Sequence, residues 1–100
     1  MKYFVIQGML KNSDEMTDTI MKEHIAYTQK VMDAGQILMS GLKGDMSGGL
    51  FLMKAESLEE VEQYLHNEPF YKAGIQEYAI TEFMPHYCNE NPKEWFDNAQ

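Results

Sequence analysis

A histidine inside an otherwise apolar helical row is the first residue of this sequence whose type and place could do chemistry. From Thr17 or Asp18, either of which can cap a helix, to Ala34, apolar residues recur at helical spacing. Ile20, His24, Tyr27 and Val31 form one row, and Met21, Ile25, Thr28 and Met32 the adjoining one. His24 is thus expected to point inward with its row. Imidazole titrates nearest to neutral pH, which suits a general base or acid. A packed histidine with one satisfied nitrogen would give the same pattern. The second candidate is Glu68, just before Pro69. A carboxylate there can cap the helical turn that proline opens, or it can orient an imidazole. Spacing alone does not bring the two together.

The remaining reactive side chains carry weaker signals. His66 falls near the end of a helix, a favoured place for a cation. His86 and Cys88 stand two apart with no further ligand pair, so no metal site is expected. Ser40-Gly41 lacks the surroundings of a nucleophile elbow. Gly48-Gly49 belongs to a turn, and Asp33 near a helix end is expected to face solvent.

These candidates must be positioned by a small set of elements. Lys2 to Met9 reads as a strand. The first helix follows and stops at Gly35, a residue that tolerates left-handed geometry. Gln36 to Leu42 and Leu50 to Ala55 are the next strands, joined by a polar, glycine-rich turn over Lys43 to Gly49. Ser57-Leu58-Glu59-Glu60 is a capping box for a second helix to about Leu65. Pro69 opens a short helical turn that Gly74 closes, and Gln76 to Met84 is the last strand. The order β-α-β-β-α-β is that of a ferredoxin-like α+β domain. Right-handed crossovers give one four-stranded antiparallel sheet with both helices on one face. Residues 1–87 are expected to form this domain, and residues 88–100 a polar tail. Trp95 and Phe96 in the tail are expected to dock on the body or on a partner chain, because exposing both forgoes their burial.

Both faces of the strands are apolar. Tyr3, Val5 and Met9 alternate with Phe4 and Ile6, Leu50 and Leu52 with Phe51 and Met53, and Tyr78, Ile80 and Met84 with Ala79 and Phe83. Two helices cover one face only. A bare apolar face of this size is rare in monomers, so a homodimer packed sheet to sheet is expected.

Composition narrows the function classes. At 100 residues one domain is expected. Sixteen acidic against eight basic residues give a net charge of −8, which repels phosphate backbones and argues against nucleic acid. No apolar run approaches the ~20 residues of a membrane span. The single cysteine rules out an intrachain disulfide and fits a reducing, cytoplasmic location. Nine methionines read as adaptable core and interface filler.

Two stretches resemble the signatures of the YciI-like (YCII-related) family. Glu23 to Tyr27 with Asp33 to Gly41 resembles its central motif: a histidine early in the first helix, a glycine at its end, and a small residue plus glycine after the second strand. Asn67-Glu68-Pro69-Phe70 through Ala73-Gly74 resembles its second signature, which commonly reads Asp-Pro-Phe or Asp-Pro-Tyr followed by Ala-Gly. The resemblance runs over roughly residues 2 to 85. It implies a dimeric α+β barrel and a pocket between helices and sheet, with a His–Asp pair in catalysis. His24 takes the histidine position and Glu68 the aspartate position, one methylene longer. Met21 stands where the family often carries arginine, which removes a cation that an anionic substrate would use.

The leading expectation is therefore a cofactor-independent lyase- or isomerase-type enzyme acting on a small cyclic or aromatic molecule. His24 would be the general base or acid, and Glu68 would fix its tautomer. Tyr27, Phe70 and Tyr78, with Ser40 and Gly41, are expected to contact the substrate. A non-catalytic module that binds or senses a small molecule is the second reading, and a cofactor-free monooxygenase the third.

Overall fold

The computed structural model describes residues 1–96, so the last four residues of the expected tail lie outside the described residues. β1 (Lys2–Leu10) sits between β3 (Gly49–Ala55) and β4 (Gln76–Phe83), and β2 (Ile37–Leu42) pairs with the outer edge of β3. All three pairings are antiparallel and the strand order is β2-β3-β1-β4. The helices α1 (Asp18–Asp33) and α2 (Leu58–His66) cover one face. A single turn, α3 (Pro69–Lys72), leads into β4, and another, α4 (Pro92–Trp95), lies in the tail. This is the ferredoxin-like α+β arrangement that the order of elements predicts.

Local chemistry sets the helix ends. Thr17, not Asp18, is the N-cap of α1, its hydroxyl accepting from the Ile20 N–H at 3.1 Å. Gly35 follows the helix at φ +80°, a conformation that costs glycine nothing. Ser57 caps α2 by accepting from the Glu60 N–H. Glu60 does not return the bond to Ser57, as a full capping box would. It accepts from the Glu56 N–H and from Gln36 instead. A short 3-10 turn at Ser13–Glu15 is not marked by any apolar period in the sequence. Asn12 starts it in left-handed geometry, and its amide donates to the Gly74 carbonyl.

The core lies between sheet and helices. Phe4 and Ile6 of β1, Met53 and Ala55 of β3, Ile37 of β2, and Val61 and Leu65 of α2 are buried together. α1 packs more loosely. None of its residues is fully buried, and Ile25 is 57% exposed, so the second apolar row splits and only part of it faces the sheet. On the opposite sheet face Tyr3, Val5 and Met9 lie beside Leu50, Leu52 and Phe83, several of them well exposed. No helix among the described residues is long and apolar enough to cross a membrane. In the tail, Trp95 and Phe96 pack edge-to-face on each other, and Trp95 is 69% exposed. Docking on the body of this chain, one of the two expected fates of these rings, is not what the structure shows. Eleven residues, Met84 to Glu94, separate Trp95 from β4, and all but Pro92 are exposed.

Candidate functional site

Glu68 is 2% exposed, an unusual place for a carboxylate, and its hydrogen bonds account for it. Pro69 starts α3, which leaves the N–H groups of Phe70 and Tyr71 without helical partners. Glu68 Oε2 accepts from both, at 2.8 and 3.3 Å, and also from the Tyr78 hydroxyl at 2.8 Å. The other oxygen, Oε1, accepts from His24 Nδ1 on α1. Capping and orienting a histidine, which look like competing readings in sequence, are divided between the two oxygens of one side chain.

His24 is held on two further sides. Its ring stacks on Phe70, with centroids 3.8 Å apart and planes within 6°. An ionised carboxylate only accepts, so the Nδ1 facing it carries the proton, and Nε2 of a neutral ring is then an acceptor. Nε2 has no hydrogen-bond partner among the described residues. The side chain keeps 28% of its surface exposed and borders a cavity of about 310 Å³.

The cavity lies between the N-terminal half of α1 and the sheet. Small residues on the helix-facing side make room for it. Gly8 follows Phe4 and Ile6 in that row of β1, and Ser40, opposite Phe51, takes the same face of β2 with Gly41 next to it. Gly48 is pressed against β1 so closely that a Cβ there would stand 1.9 Å from the Gly8 carbonyl oxygen. Met16, Met21, Phe51 and Tyr64 add apolar wall.

A chain of polar groups backs the carboxylate. Gln76 Nε2 donates to the Tyr78 hydroxyl at 2.9 Å, which in turn donates to Glu68. Burial, and then the Glu68 charge, push the Tyr78 phenol well above its usual range. Burial also raises Tyr64, with smaller contributions from Tyr27 and Glu68 and a hydrogen bond to Thr28 that opposes them. Tyr27 is raised by burial and by Glu68. All three phenols therefore stay protonated above the ordinary phenol range; Tyr78 donates to the carboxylate itself and Tyr27 to the Tyr64 carbonyl. Every buried side-chain nitrogen or oxygen among the described residues has a partner.

Of the residues read from sequence, His24, Glu68, Ser40, Gly41, Phe70 and Tyr78 meet at this cavity. Tyr27 does not line it. It stacks behind Tyr64 at 4.8 Å and donates to the Tyr64 carbonyl, so Tyr64 takes the wall position expected of Tyr27. The helical row put Tyr27 inward correctly, but a neighbouring ring stands between it and the space. Gln76, Tyr64 and Gly8 escaped the sequence reading. The signal for Gln76 and Gly8 is parity: each continues an apolar, helix-facing row with a residue that cannot fill it. His66 stacks on Tyr71, while His86 and Cys88 lie in the exposed tail. No group of three His, Cys, Asp or Glu side chains among the described residues is placed to hold a metal ion.

The chain is an α+β protein whose antiparallel sheet is covered by helices on one face. The chain belongs to the YCII-related domain family, whose model matches residues 1–84. It is 31% identical over 71 residues to an uncharacterized protein, YjpA, of Bacillus subtilis (strain 168), a match that covers 67% of this chain and 84% of that one. Among solved structures it is similar to 5-chloro-2-hydroxyhydroquinone dehydrochlorinase (TftG) from Burkholderia phenoliruptrix AC1100, in complex with 2,5-dihydroxybenzoquinone. That likeness has 25% identity and a TM-score of 0.70, and covers 82% of this chain and 93% of the other. An antibiotic biosynthesis monooxygenase, 10% identical with a TM-score of 0.56 over 87% of this chain and 100% of its own, shares the fold alone.

Proposed function

We propose that this protein is a cofactor-independent enzyme that moves a proton on a small cyclic or aromatic molecule, in lyase- or isomerase-type chemistry. The observation that carries the proposal is the division of labour at Glu68. One oxygen is fixed by two backbone N–H groups and a tyrosine, so the other holds His24 in a set orientation and tautomer. A histidine held this way presents Nε2 as a base, and the proton it takes can be returned to another atom of the same molecule. Phe70 supports the ring from one face. Ser40, Gly41, Tyr64 and Tyr78 shape the space for a flat molecule of modest size. The ring compound bound to TftG supports that choice of substrate class.

A homodimer is the second part of the proposal. The apolar residues on the uncovered sheet face support a partner copy there, and Trp95 and Phe96 would dock against that copy. Sedimentation should give about twice the 11.6 kDa chain mass. A monomer at micromolar concentration overturns the dimer and leaves the proton-transfer reading intact.

Hydrogen–deuterium exchange at the ring carbons of resorcinol and phloroglucinol, followed by NMR, tests the chemistry. These compounds exchange through their keto forms, so the rate reports proton transfer. The protein should accelerate exchange, and His24→Ala should slow it by about a hundredfold or more. Binding without acceleration, or acceleration indifferent to His24, would reduce the protein to a binding module.

A further inference from the structure

The geometry points to a substrate that enters as an uncharged hydroxyl acid and is ionised inside the cavity, not one that arrives as an anion. This inference rests on the reading of His24 as the proton acceptor. All eight basic residues of the chain are lysines, and all fall among the described residues. None of them borders the cavity. The titratable side chains that border it are His24, Tyr64, Glu68 and Tyr78, and the wall beside them is Met16, Met21, Phe51 and Phe70.

A pre-formed anion has no cation to meet there while the His24 ring is neutral. It would leave water for an apolar wall next to a buried carboxylate, and both changes oppose binding. An uncharged ligand with an O–H group meets the opposite situation. Nδ1 carries the proton given to Glu68, so Nε2 is a free acceptor for that hydroxyl. On transfer the ligand's O–H bond breaks and a new N–H bond forms at Nε2. The electron pair stays on the ligand oxygen. The total charge of ligand, His24 and Glu68 does not change, and the new anion lies beside the new imidazolium. The site supplies its counter-charge only after taking the proton, and this is the source of its selectivity.

Met21 is the position that would read charge. It lies one helical turn before His24 on the same side of α1, lines the cavity, and is 37% exposed, so a lysine there can keep its ammonium hydrated at the cavity mouth.

Hydroquinone and gentisate, which is hydroquinone bearing a carboxylate, form a matched pair of probes. Calorimetric titration of the full chain at neutral pH should show hydroquinone binding at least about tenfold more tightly than gentisate. Met21→Lys should narrow or reverse that ratio. Raising the pH through the ionisation of hydroquinone should weaken its binding to the unaltered protein, because the complex then has to recover the lost proton. Equal or tighter binding of gentisate by the unaltered protein overturns the inference, and so does the binding of neither probe. The comparison needs no variant to fold. The reading of His24 is judged separately by the exchange experiment, and it fails only if exchange is indifferent to His24.

Discussion

The two ends of the helix-covered sheet face are built from the same strands and differ in what they enclose. At one end Phe4 and Ile6 of β1 meet Met53, Ala55, Val61 and Leu65, and the space is filled. At the other end the same row of β1 continues as Gly8, β2 offers Ser40 and Gly41, and the space stays open. The filled end lies under α2, with two buried anchors, and the open end under α1, with none. Apolar period sets which face a strand buries. Side-chain volume along that face decides whether the result is core or cavity. Polar groups gather at the open end, where Glu68, Tyr78 and Gln76 satisfy one another around His24.

Substitutions at the two ends should therefore separate stability from chemistry. Phe4→Ala empties part of the packed end, and urea denaturation should show a loss of about 3–5 kcal/mol. Glu68→Ala lies at the junction. It removes the α3 cap and leaves buried donors unpaired, at a cost of about 1–3 kcal/mol, and it should abolish proton exchange as well. A stability loss at Glu68 as large as that at Phe4 would show that the carboxylate is part of the core and not of the site. His24→Ala should cost about 1 kcal/mol or less, because its ring already borders open space, while exchange activity collapses. Gly8→Ala is the mildest change. Its Cβ would stand 2.7 Å from the end of the Gln76 side chain, which must move and release Tyr78. Thermal stability should barely change, and ligand affinity should fall several-fold. Unchanged affinity would mean that Gln76 plays no part in the site.

The alkaline limb of stability reports the same buried phenols. Tyr64 and Tyr78 are held above the ordinary phenol value of 10.0 in the folded chain. Above that pH the unfolded chain loses protons that the folded one keeps, so stability should be intact below about pH 10 and fall as pH rises further. Tyr78→Phe should make the fall shallower in urea titrations across that range.

The fold was legible because periodicity and punctuation agreed. Gly35, Ser57, Pro69 and Gly74 mark helix ends, and the strands differ from the helices in period. The 3-10 turn at Ser13–Glu15 was not legible, since three polar residues carry no apolar period. For the site, the row Ile20, His24, Tyr27, Val31 fixed the direction of His24, and Pro69 fixed the place of Glu68. Their meeting across 44 residues is a tertiary fact that spacing does not contain. Tyr27 was misplaced by one layer because a helical row gives direction and not depth. Gly8 and Gln76 were readable only by asking which positions of an apolar face fail to fill it.

The tautomer of His24 is the most direct test of the account. Long-range proton–nitrogen NMR distinguishes the two ring nitrogens of each of the three histidines. Measured where the rings carry a single proton, His24 should show that proton on Nδ1, and Glu68→Gln should disturb this assignment while His66 and His86 are unaffected. Resorcinol should then shift the Nε2 resonance and not that of Nδ1. A proton found on Nε2 in the unaltered protein would contradict the arrangement, because a carboxylate-held Nδ1 and a free basic Nε2 could not then coexist.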